Sequence, residues 1–180
     1  NSPYSIEGQH NVILLATDEA GNKSSASVSF FIDKTAPVIN LQPVASPTNK
    51  DVVLSYTTTD STNVTVTGNN SPYTTEGLHS VILLAVDEAG NTSSVSTNFF
   101  IDKTAPVINI LPVKSPTNKD VVLNYMTIDS TNVTVTGNNS PYSIEGQHNV
   151  ILLATDEAGN TSSASVNFFI DKTAPVINLQ

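Results

Sequence analysis

Three residue types in this chain could do chemistry, and each recurs at a fixed spacing. His10, His79 and His148 occupy one equivalent position, with no Cys and no second His nearby. A metal centre or a nucleophilic triad needs several such groups converging, so these histidines read as structural residues at a strand edge. Carboxylates recur as Asp87, Glu88 and Asp102, and Ca²⁺ takes roughly 6–8 oxygens from such groups and from carbonyls. A calcium site stiffening a junction would use Asp87, Asp102 and Asn91. Against it, Asp87 and Asn91 already suit turn chemistry, and no dense Asp-x-Asp run occurs, so no metal or cofactor is assigned. Lys50 and Lys103, among many asparagines, have the composition of an amide crosslink, but their spacing singles out no trio and a buried charge is costly. Asn22-Lys23-Ser24, Asn63-Val64-Thr65 and Asn91-Thr92-Ser93 match the glycosylation sequon, a weak pattern in a chain this rich in Asn and Thr. No nucleophile, base and orienting group can be assembled, so no catalytic residue is assigned and the chain is not read as an enzyme.

The spacing itself is the stronger signal. NSPY begins at Asn1, Asn70 and Asn139, a period of 69 residues. The chain then divides into the C-terminal part of one repeat (1–36), two complete repeats (37–105 and 106–174) and the first strand of a further one (175–180). The complete copies differ at 13 positions, and residues 1–36 differ from 139–174 only at Lys23/Thr161 and Ser29/Asn167. Near-uniform copies point to one job repeated, with length as the variable. A unit this small buries limited surface alone, and with no Cys no disulfide reinforces it. That argues against the disulfide-rich secreted class and fits a bacterial exterior.

Seven Lys, no Arg and 16 acidic residues give a net charge of −9. Nucleic acid is excluded, since its binding rests on Lys and Arg neutralising phosphates, and anionic membrane surfaces are disfavoured on the same ground. No apolar run is long enough for membrane insertion of this segment.

The elements that position these residues all read as strands. Val38–Leu41, between Pro37 and Pro43, predicts an edge strand, and Ser46–Lys50 a turn. Asp51–Thr57 and Asn63–Thr67 predict two more strands, the second with Val64 and Val66 on one face. Tyr73–Glu76 predicts a short strand and Leu78–Asp87 the longest one. Asp87-Glu88-Ala89-Gly90 predicts a type I turn with a left-handed glycine, closing a hairpin onto Thr92–Asp102. Six or seven short strands without helical periodicity predict a two-sheet sandwich. Lys103-Thr104-Ala105-Pro106 would be a short, stiff joint, giving a semi-rigid rod.

These residues resemble a known family. AVDEAGNTSS (Ala85–Ser94) followed by FFIDKTAPVI (Phe99–Ile108), with counterparts ATDEAGNKSS (Ala16–Ser25) and ATDEAGNTSS (Ala154–Ser163), is similar to the closing hairpin and junction of bacterial immunoglobulin-like (Big-type) tandem repeats of surface proteins and adhesins. The resemblance implies all-β, tandem immunoglobulin-like β-sandwich modules with an extracellular location, and carries no catalytic residue with it.

Adjacent phenylalanines (Phe30/Phe31, Phe99/Phe100, Phe168/Phe169) must point to opposite faces of a strand, and Val81-Ile82-Leu83-Leu84 is apolar on both. One set therefore needs a second cover: a loop, a neighbouring repeat or another chain in a fibre. The expected function is a non-catalytic structural repeat of a bacterial cell-surface stalk, adhesin or extracellular filament. Its partners would be neighbouring repeats and copies of itself, joined end to end or by strand exchange. The alternative is an adhesive module taking a surface ligand or polysaccharide, with only tyrosines for an aromatic platform.

Overall fold

The computed structural model describes residues 3–179; Asn1, Ser2 and Gln180, the outermost residues of the expected partial repeats, lie outside the described residues. Twelve strands and no helix are found among the described residues: β1 (Gly8–Thr17), β2 (Lys23–Ile32), β3 (Val38–Leu41), β4 (Tyr56–Thr59), β5 (Val64–Thr67), β6 (Gly77–Asp87), β7 (Thr92–Ile101), β8 (Val107–Ile110), β9 (Tyr125–Ile128), β10 (Val133–Thr136), β11 (Gly146–Asp156) and β12 (Thr161–Ile170). They form the sheets β1–β2, β3–β4, β5–β6–β7, β8–β9 and β10–β11–β12.

Contacts divide the chain into two compact units that cut across the 69-residue period. Among the described residues, one holds 3–44 with 53–71 and 80–98. The other holds 45–52, 72–79 and 99–179.

The second unit shows most simply how sequence becomes sandwich. Strand β11 reads GQHNVILLATD and alternates in burial, with Val150, Leu152 and Ala154 inward and Ile151 and Leu153 outward. Period-two alternation of this kind places one face of a sheet against a core. Ile108 from β8 and Val121 and Leu123 from the following segment meet Phe168 and Ile170 of β12 and the inward residues of β11 in one cluster. Two sheets thus share one apolar layer. Leu152, Ala154 and Ile170 are wholly removed from water, and a buried aliphatic of Leu size contributes about 1.5–3 kcal/mol by transfer alone. In the middle repeat the equivalent Leu83, Ala85 and Ile101 are buried to the same degree.

The hairpins follow from turn chemistry. Gly159 N–H donates to the Asp156 carbonyl at 3.3 Å, and Gly159 takes φ +94°, a left-handed conformation that glycine adopts without steric cost. Gly137 is constrained differently: at φ +90° an added Cβ would overlap the Ile151 carbonyl oxygen.

Three expectations change. Asp51–Thr57 is not one strand: Val52 makes only an isolated bridge to Tyr73, and the regular strand begins at Tyr56 and runs to Thr59. Leu54 shows why, since its N–H donates to the Ser71 hydroxyl at 2.9 Å instead of to a neighbouring strand. Tyr73–Glu76 is reduced to that single bridge, and each complete repeat carries five regular strands where six or seven were expected. Residues 175–179 are not paired as a strand, and Val176, Ile177 and Leu179 are exposed. The split of the phenylalanines holds: Phe168 is buried while Phe169 is exposed.

Candidate functional site

Each unit gathers three aspartates. In the first they are Asp33, just after β2, Asp60, just after β4, and Asp87, the last residue of β6; in the second they are Asp102, Asp129 and Asp156. In each trio one carboxylate oxygen per residue lies within 4.8 Å of the others. Asp102 is only 2% exposed and Asp156 6%. The aspartates come together because strand ends meet at one edge of the sandwich, which the alternation of the strands does not itself announce.

A web of neutral donors holds them. Asn160 N–H and Nδ2–H each donate to Asp156 at 2.7 Å, and Nδ2–H also reaches the Asp102 carbonyl at 2.9 Å. Asn91 repeats this on Asp87 at 2.8 Å and on the Asp33 carbonyl at 3.2 Å. The Thr104 N–H donates to Asp102 at 3.1 Å, and the Thr131 hydroxyl to Asp129 at 2.9 Å. Ser130 also donates to Asp102. In the first unit the Ser61 hydroxyl at 2.6 Å, followed by the Thr35 N–H, outweighs burial and holds the Asp33 carboxyl below its ordinary range. The ion pairs among the described residues, Lys103–Asp51 and Lys172–Asp120, involve none of the six aspartates.

Chemically, three carboxylates at this spacing, with the Asp102 or Asp33 carbonyl beside them, are an oxygen-only donor set of the kind that suits a hard divalent cation. They offer no nucleophile and no histidine. The calcium set weighed above, Asp87 with Asp102 and Asn91, is not brought together, since the two aspartates belong to different trios; Asn91 does join Asp87, and each trio adds an aspartate not singled out above, Asp60 or Asp129. A signal for them existed in the recurrence of Asp-Ser-Thr-Asn at Asp60–Asn63 and Asp129–Asn132.

The remaining residues take structural places. His148 stacks on Phe168 with centroids 5.0 Å apart, Tyr142 meets both rings edge-on, and the His148 Nε2 pairs with the Ile144 carbonyl at 2.7 Å. Tyr4–His10–Phe30 and Tyr73–His79–Phe99 repeat the group. Lys103 bonds Asp51 and the Thr74 carbonyl at the surface, where both side chains stay partly exposed to water, so the structure provides no buried environment for an amide crosslink at Lys103.

No curated protein matches this chain. The model of the bacterial Ig-like domain (group 3) family matches residues 3–72 and 62–145. With strand pairing, sandwich core and repeated hairpins as described, the chain belongs to the bacterial Ig-like domain (group 3) family.

Proposed function

We propose that this chain is a non-catalytic structural repeat of a bacterial cell-surface stalk, adhesin or extracellular filament. The observation that carries the reading is repetition without specialisation. Asp33, Asp60, Asp87 and Asn91 recur as Asp102, Asp129, Asp156 and Asn160 with the same hydrogen bonds. A ligand-recognising or catalytic array diversifies a loop or pocket, whereas here exposed pairs such as Ile82/Ile151 are kept as constant as the buried Leu83/Leu152. The repeats at 37–105 and 106–174 are then successive copies in a longer array, with an extracellular setting. Neighbouring repeats are the first partners in this reading, as stacked units contact mainly their neighbours.

Electron microscopy of the purified chain, beside a version lengthened by one 69-residue repeat, tests the reading. Elongated particles that lengthen by a constant increment support it. Particles that stay compact as the repeat is added would overturn it.

A further inference from the structure

Strand β12 forms one border of the β10–β11–β12 sheet. Its outward backbone groups can be assigned from the lower end. The Phe169 N–H donates to the Ser115 hydroxyl oxygen at 2.9 Å, and the Phe169 carbonyl accepts from the Thr117 N–H at 3.0 Å, so Phe169 points its backbone away from β11. By strand alternation, Thr161, Ser163, Ser165 and Asn167 do the same. Among the described residues, no hydrogen bond reaches those outward N–H and C=O groups. All four residues are exposed.

Sheet borders of this kind are normally guarded by a charge, a proline, a bulge or a covering segment. Here the sequence is TSSASVNFFI, with no ionisable residue and no proline, and its pairing with β11 runs without interruption from Gly146↔Ile170 to Thr155↔Thr161. Ser115–Thr117 bonds the last residues of the border, and β8 packs beside β12, the Ser162 hydroxyl donating to the Pro106 carbonyl, but neither bonds the outward backbone groups of Thr161, Ser163, Ser165 and Asn167. The equivalent strand β7 is uncharged as well.

We propose that the free border of β12 is a self-association edge that pairs antiparallel with β12 of a second copy of this chain. The charge distribution favours a second copy over an arbitrary surface contact. With a net charge of −9, two copies repel over most approaches, and this uncharged strand is a place where they meet without like charges in the contact. A two-fold axis at Ser165 sets Ser165 opposite Ser165 and Ser163 opposite Asn167 of the other copy. That register exchanges about six backbone hydrogen bonds and stops where Ser115–Thr117 begins. It also joins two three-stranded sheets into one, extending the outward apolar row of Ile151 and Leu153, whose strand partners are Ser165 and Ser163. Because the strand recurs each 69 residues, long chains would add such contacts side by side, and avidity would multiply a weak single pairing. This goes beyond the structural role above, which needs no lateral contact.

The test is sedimentation of the full chain from dilute to its most concentrated soluble sample, with residue-resolved amide exchange at both ends of the range. The expected result is a twofold rise in mass, accompanied by slowed exchange at Ser163, Ser165 and Asn167. Replacing the three equivalent serines together (Ser27→Lys, Ser96→Lys, Ser165→Lys) places a charge on each border and should leave the chain monomeric with an unchanged thermal midpoint. A wild-type chain that stays monomeric throughout overturns the proposal while leaving the structural role intact. Mass growth with those amides still exchanging freely also overturns it, and assigns the contact to another surface such as the Ile151/Leu153 face. The exchange readout on the wild type decides the matter even if the triple variant folds poorly.

Discussion

Residues 8–32 and 146–170 are nearly the same polypeptide in two settings. They differ only at Lys23/Thr161 and Ser29/Asn167, and they form the same hairpin in the same register. The Asn22–Asp18 bonds at 2.8 Å match the Asn160–Asp156 bonds at 2.7 Å, and the His10–Phe30 stack matches His148–Phe168. Yet Leu14 is 67% exposed where Leu152 is fully buried, and Asp18 stands in the open where Asp156 joins a trio. The hairpin is therefore a local product of turn and alternation, while its core and its acidic cluster are supplied by the strands that precede it. For the final copy those are β8, β9 and β10 with Val121 and Leu123.

The largest effect that would break or confirm this contrast is truncation of the paired leucines. Leu152→Ala should cost about 2–5 kcal/mol through lost transfer energy and a cavity, whereas Leu14→Ala should stay within about 0.5 kcal/mol, as an exposed substitution does. Denaturant unfolding of the two variants gives both values, and equal losses would refute the contrast.

The asparagines give a smaller difference. Asn160→Ala strands a part-buried Asp102 carbonyl and loosens Asp156, so it should cost about 1–3 kcal/mol. Asn22→Ala loses bonds in water and should cost well under that. Thermal melts of both variants rank them.

Divalent cation should act on the trios and not on Asp18. With excess Ca²⁺ at about ten times its dissociation constant the gain is about 1.4 kcal/mol for each trio, read as a melting point higher than in chelator. Identical melts would reduce the trios to carboxylates held by hydrogen bonds alone.

The smallest effect is acidic. Hydrogen bonds from Asn22, its side chain first and its backbone N–H next, hold the Asp18 carboxyl below its ordinary range. A folded value below the unfolded one means that the contribution is present above about pH 4 and fades as pH falls through the folded value. A carboxyl titration followed by NMR should give an Asp18 midpoint below that of a model peptide, and Asn22→Ala should move it back up.

Much of this fold was legible because the governing signals are local. The alternation in Val64–Thr67, the Asp87–Gly90 turn and the opposed phenylalanines each follow from a few neighbouring residues, and β5, β6 and β7 lie where those signals put them. The segment 51–57 misled because its valines and leucine read as strand formers, while the burial of Val52 and Leu54 serves the core without a continuous ladder. The aspartate trios were harder still. Asp102, Asp129 and Asp156 lie far apart in sequence, and only the pairing of distant strands brings their oxygens together.

The proposed role as a structural repeat is tested most directly by pulling single molecules of a multi-repeat chain. The account predicts recurring force peaks with one common contour increment. That increment should correspond to a 69-residue repeat, about 250 Å at ~3.6 Å per extended residue and less the folded span. Extension without recurring peaks, or with increments unrelated to the repeat, would contradict it.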